Sequence, residues 1–137
     1  MQYDFVIYDQ ADRPVAVLEA KAQQGTTAQW ASAFRRNLLA HQAHPETEYF
    51  GIITPAAFYL WRGQNDPRDV PPDFELDLSD YTRSLPKEAL RGNAFEFVVS
   101  SLLTDLESTP SDRWPSLSNS GFLDALKTGR LSYEAAA

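Results

Sequence analysis

Asp4, Glu19 and Lys21 are the residues of this chain whose types and spacing could do chemistry together. Glu19 and Lys21 are two apart, so on a β-strand both side chains point to one face. Asp4 sits in an earlier extended stretch. If the two stretches pair, two carboxylates and an ammonium converge on one patch of an otherwise apolar sheet. Acids placed opposite each other repel, and burial raises the cost unless a cation neutralises them. Mg²⁺ or Mn²⁺ would do so, since both favour carboxylate and water oxygens and leave positions open for a phosphate. A lysine on the same face could hold an attacking water or offset charge building on a phosphate. The chemistry so defined is hydrolysis by in-line attack of water. The same three residues also fit a solvated sheet face with Lys21 as the ion-pair partner of the acids.

The elements that must position them are legible nearby. Gln2-Tyr-Asp-Phe-Val-Ile-Tyr-Asp9 and Val15-Ala-Val-Leu-Glu-Ala-Lys21 are rich in β-branched and aromatic residues and read as strands. Gln10-Ala-Asp-Arg13 is turn material, and Pro14 opens the second strand. A turn between Ala11 and Asp12 sets Pro14 opposite Asp9, Val17 opposite Val6 and Glu19 opposite Asp4. Asp4, Val6 and Tyr8 then share a face with Val15, Val17, Glu19 and Lys21. Asp9 falls on the other face and, with Asp12, belongs to the turn. Thr26-Thr-Ala-Gln29 has capping-box spacing, so a helix is expected from there to about His41, ahead of Pro45. Tyr49–Thr54 and Phe58–Arg62 read as further strands, with the aromatic run Phe58-Tyr-Leu-Trp61 packing into a core.

The succession Tyr3-Asp4-Phe-Val-Ile-Tyr … Pro14-Val-Ala-Val-Leu-Glu19-Ala-Lys21, followed by a helix and two strands, resembles the PD-(D/E)XK nuclease superfamily. That group includes restriction enzymes, Holliday junction resolvases and nuclease domains of type I restriction subunits. The resemblance covers residues 1–63 and implies a restriction-endonuclease-like α/β core, a mixed sheet of about four strands flanked by helices. It implies that Asp4 and Glu19 bind Mg²⁺ or Mn²⁺, that Lys21 assists the attacking water, and that DNA is the substrate of a metal-dependent endonuclease. It also implies a helix ahead of the hairpin. An upstream segment, a partner segment or the helix at about 94–106 would complete the core. The alternative within this resemblance is a catalytically inactive, nuclease-derived binding or regulatory module. A further alternative is an interaction domain with an incidental acid patch.

On the helix after the hairpin, Gln29, Ser32 and Arg36 form one stripe. Gln29, Arg35 and Arg36 are the candidate substrate contacts, the arginines through phosphate oxygens. Both arginines also suit the C-terminal half of a helix on macrodipole grounds. His41, His44, Glu46 and Glu48 straddle the expected helix end, which fixes no metal geometry.

Composition bounds the rest. At 137 residues the chain fits a single domain, and three Trp, six Tyr and eight Phe can fill a core. Without cysteine it has no disulfide and no thiolate metal site. No apolar run reaches membrane-spanning length and the N-terminus has no signal-peptide pattern, so a cytoplasmic protein is expected. The net charge of −7 argues against a general nucleic-acid coat protein. Through residue 63, five Lys/Arg face six Asp/Glu; from residue 64 on, seven face thirteen. Residues 64–137 are therefore expected as a loop-rich acidic extension. Residues 64–86 read as loop with short extended pieces, 94–106 as an apolar helix and 121–127 as a short helix. Residues 130–133 read as a last strand or tail. The helix at 94–106 is apolar almost all round, which fits burial between layers or a homodimer interface.

Overall fold

The computed structural model describes residues 3–41, 46–63 and 68–134. Its centre is an α/β arrangement built on a mixed sheet, with strands β1 (Phe5–Tyr8), β2 (Pro14–Ala20), β3 (Tyr49–Ile53), β4 (Ala57–Arg62), β5 (Phe74–Asp77) and β6 (Arg130–Tyr133). The strand order is β5-β4-β3-β2-β1-β6. Among the described residues only β2 and β3 run parallel; every other neighbouring pair is antiparallel. The parallel pair needs a crossover, and helix α1 (Ala28–His41) supplies it.

Six strands form where about four were expected. The two strands beyond those four are the edges, each only four residues long: β6 falls on the 130–133 stretch read as a last strand or tail, and β5 within the loop read with short extended pieces. Each takes its order from a neighbour: β5 from the hairpin with β4, β6 from pairing with β1. Short edge strands carry little pattern of their own.

The sheet is covered on both faces, as the continuous apolar runs of β3 and β4 require. One core joins Val6, Val17, Phe50, Ile52, Tyr59 and Trp61 to α1 through Ala31 and Leu39. The other joins Phe5, Ile7, Leu18, Phe58 and Leu60 to the helices α3 (Ala94–Ser108) and α4 (Phe122–Thr128). A single turn of helix, α2 (Ser79–Arg83), and a 3-10 turn at Lys87–Leu90 lie between β5 and α3. Phe58 and Leu60 thus alternate with Tyr59 and Trp61 between the two cores, so the aromatic run is packing. In α3 the buried residues Phe95, Val99, Leu102, Leu103 and Leu106 make one stripe. Phe97, on the remaining surface, is 70% exposed. The helix is therefore one-sided rather than apolar all round.

Two local expectations change. Thr27, not Thr26, caps α1: its Oγ1 accepts the Trp30 N–H at 3.1 Å. The Thr26 hydroxyl is engaged elsewhere, 2.7 Å from Thr54 Oγ1 and 3.0 Å from Tyr59 Oη. The hairpin carries an irregularity at its turn end, so Pro14 pairs with Tyr8 instead of Asp9, and Val15 turns to the α3/α4 core. Asp9 Oδ1 accepts the N–H groups of Ala11 and Arg13, and Asp12 takes a positive φ of 60°. Both acids serve the turn, as expected. His44 and Pro45, and residues 64–67 of the expected loop, lie outside the described residues.

Candidate functional site

Away from the turn, the β1–β2 register is regular: Phe5 faces Leu18, Val6 faces Val17 and Ile7 faces Ala16. Continued one step, it sets Asp4 opposite Glu19. There the ladder changes character. The N–H of Ala20 donates to Asp4 Oδ2 at 2.8 Å, so a carboxylate replaces a strand carbonyl. Asp4's own carbonyl accepts the Glu134 N–H at 2.7 Å, which ties the same residue to the end of β6. Asp4 is thus held from both sides at the point where three strands end.

The two carboxyl groups act on each other. Burial first, then the negative charge of Asp4, pushes the Glu19 carboxyl up to about 8. The Asp4 carboxyl is also raised, by burial, against the lowering pull of the Ala20 N–H; the Glu96 carboxylate on α3 adds repulsion. Both acids are half-buried, and Lys21 beside them is exposed. Two acids this close share a proton when no cation separates them.

Two buried polar atoms at this end have no hydrogen-bond partner, Glu19 Oε1 and Tyr3 Oη. Tyr3 is only 1% exposed, and burial and then Glu19's charge push its hydroxyl up to about 12. An unmet buried polar atom costs about 1–3 kcal/mol. Open acceptor capacity on Glu19, beside a second carboxylate, is what a bound cation with its waters would satisfy. Among the described residues, no group of three or more His, Cys, Asp or Glu could hold a metal. The donor set is two carboxylates, which suits Mg²⁺ or Mn²⁺ completed by water and phosphate rather than zinc.

Lys21 continues the face of Glu19. Its N–H donates to Ile53 O at 2.9 Å, extending the β2–β3 ladder, and its Nζ lies 5.5 Å from the centre of the Phe34 ring on α1. Its positive charge lowers both carboxyls. Among the described residues, no ion pair within 4.0 Å occupies this ammonium. It remains available at the rim.

The three residues expected to touch substrate are placed differently. Arg35 is fully buried, its guanidinium 5.5 Å from the Trp61 ring centre and 5.9 Å from that of Phe50. It donates to Arg68 O at 3.4 Å. Gln29 is exposed and lines a shallow hollow with Ser32, Asp69 and Pro71. Arg36 pairs with Asp69 at 3.7 Å, and Ser32 Oγ donates to Val70 O at 2.9 Å. The contacts of this helix stripe are therefore with residues 68–71, while the helix side that meets Lys21 carries Phe34.

Sequence reading missed Tyr3, Glu96 and Tyr133. Tyr133 Oη donates to Glu96 Oε1 at 2.8 Å, and its ring lies 5.2 Å from that of Phe5. Nothing local signals this cluster, because it depends on β6 returning to β1 from the far end of the chain. Among the described residues, no helix is long and apolar enough to cross a membrane. No family model, curated protein or solved structure matches this chain.

Proposed function

We propose that this chain is a restriction-endonuclease-like, Mg²⁺-dependent DNA endonuclease of the PD-(D/E)XK type. The observation that carries the reading is the Asp4–Glu19 pair: two half-buried acids forced together across β1 and β2, with Lys21 next on the same face. Acids whose carboxyls are raised by burial and by each other cluster at functional sites. The order hairpin, crossover helix, parallel strand agrees with the sequence resemblance.

In this reading Asp4 and Glu19 hold the metal, which supplies Lewis acidity at the scissile phosphate. The Ala20 N–H fixes one Asp4 oxygen, and the carboxylate so held would be a ligand of the ion. Glu19 would release its proton to solvent when the ion binds. Lys21 holds the attacking water and offsets charge on the phosphoryl oxygens as they move toward the transition state. In this reading helix α3, packed on the face opposite α1, would stand for the helix expected ahead of the hairpin; its Glu96 adds repulsion at Asp4.

The test is nicking of supercoiled plasmid with Mg²⁺ or Mn²⁺, with Lys21→Ala as the control. Metal-dependent nicking that the substitution abolishes supports the endonuclease. Metal binding with no nicking would favour an inactive, nuclease-derived module built on the same acid pair.

A further inference from the structure

Chemistry on DNA needs cations to hold its backbone, and the chain as a whole is acidic. Its exposed cations are not evenly spread. A cavity of about 560 Å³ opens between the chain just after Lys21 and the segment joining α2 to α3. It is lined by Ala22, Gln24, Thr82, Leu85 and Leu90 together with Arg83, Lys87 and Arg91. Among the described residues, every charged one on that lining is positive. Thr82 Oγ1 donates to Pro55 O at 2.9 Å, which anchors this wall to the chain just beyond β3. The cavity therefore sits at the end of the sheet where β2 and β3 finish, the same end as Asp4, Glu19 and Lys21, but on the α3 side, where Ala22 and Leu90 pack, around the sheet end from the face that Lys21 shares with α1.

The cations differ in availability. Arg83 is paired with Asp80. Lys87 and Arg91 are exposed and have no ion-pair partner among the described residues. Each carries at least three N–H donors, and a guanidinium can clamp two oxygens of one phosphate. Gln24 adds an amide.

We propose that this cavity is a phosphate subsite for a polynucleotide strand, with Lys87 and Arg91 gripping a backbone phosphate that flanks the one presented to the acid pair. The proposal rests on the endonuclease reading for the identity of the strand. Its own content is that binding strength resides at Lys87 and Arg91, in a chain whose net charge is −7.

The test is fluorescence anisotropy of a labelled DNA oligonucleotide, titrated without metal at several salt concentrations. The variants are Lys87→Ala/Arg91→Ala and a control of equal charge change, Arg113→Ala/Lys127→Ala. The first pair should weaken binding roughly tenfold or more at low salt and flatten the log–log salt slope by about 1, one phosphate contact being lost. The control should stay close to wild type, and melting temperatures should not move. Equal loss in both variants would overturn the subsite, as would a wild-type chain that does not bind the oligonucleotide. Competition by inorganic phosphate at concentrations matching the oligonucleotide would overturn the strand assignment in favour of a small anion. Plasmid nicking that survives unchanged in Lys87→Ala/Arg91→Ala would sink the subsite and leave the cleavage reading standing. Oligonucleotide binding that depends on both residues, in a chain that never nicks, would do the reverse.

Discussion

Replacing Glu19 by Gln should stabilise the metal-free protein at pH 8 and leave it nearly unchanged at pH 4.5. The carboxyl is raised from 4.5 to about 8 in the folded chain, chiefly by burial and then by Asp4. The folded state therefore holds a proton that the unfolded state has released, and stability falls as pH rises from about 4.5 to about 8. Each unit of pKa is worth about 1.4 kcal/mol. Asp4 shares the effect and water reaches part of the pair, so a penalty on the order of 2 kcal/mol at pH 8 is the working figure. Gln keeps the shape and carries no charge to bury. For a chain of this size the gain corresponds to roughly 6 °C in Tm. Melting curves at both pH values, with EDTA present, measure it. A Glu19→Gln chain that melts lower than wild type at pH 8, or shifts equally at both pH values, would refute the reasoning.

The other expectations concern the site and its supports. Lys21→Ala should lower the nicking rate by about 10²-fold or more, while the Mn²⁺-induced rise in Tm persists, because the residue assists the reaction and does not hold the ion. Arg35→Ala should cost about 2–4 kcal/mol in urea unfolding, since a fully buried side chain packed against Trp61 and Phe50 is lost. Gly51→Ala should cost about 1–3 kcal/mol by the same assay. The added methyl would stand 2.5 Å from Leu18 Cδ2 and 2.8 Å from Phe58 Cε1.

The acid pair was legible in the sequence because strand alternation is strict. Once Val6 and Val17 must share a buried face, Asp4 and Glu19 have one register available. The same strictness failed at the turn end, where one irregular step moved Val15 to the other core. The helix start was off by a residue because Thr26 and Thr27 are chemically equivalent as caps, and only the tertiary contacts of Thr26 with Thr54 and Tyr59 separate them. Arg35 was read from its charge as a phosphate ligand. Its burial depends on Phe50, Trp61 and Arg68 arriving from distant parts of the chain, which no helix pattern encodes. The last strand was read at 130–133, but its pairing with β1, which brings Tyr133 to Glu96 on α3 beside Asp4, joins distant parts of the chain and has no local pattern. The basic cavity was hidden by averaging, since the acidic balance of residues 64–137 conceals three cations that share one wall.

The most direct measurement is Mn²⁺ binding followed by the loss of free-ion signal in electron paramagnetic resonance, on wild type and on Asp4→Asn/Glu19→Gln. One Mn²⁺ per wild-type chain and none in the double variant, with Mg²⁺ competing for the site, is the predicted result. Equal Mn²⁺ uptake by both proteins, or none by either, would contradict a cation held between these two carboxylates.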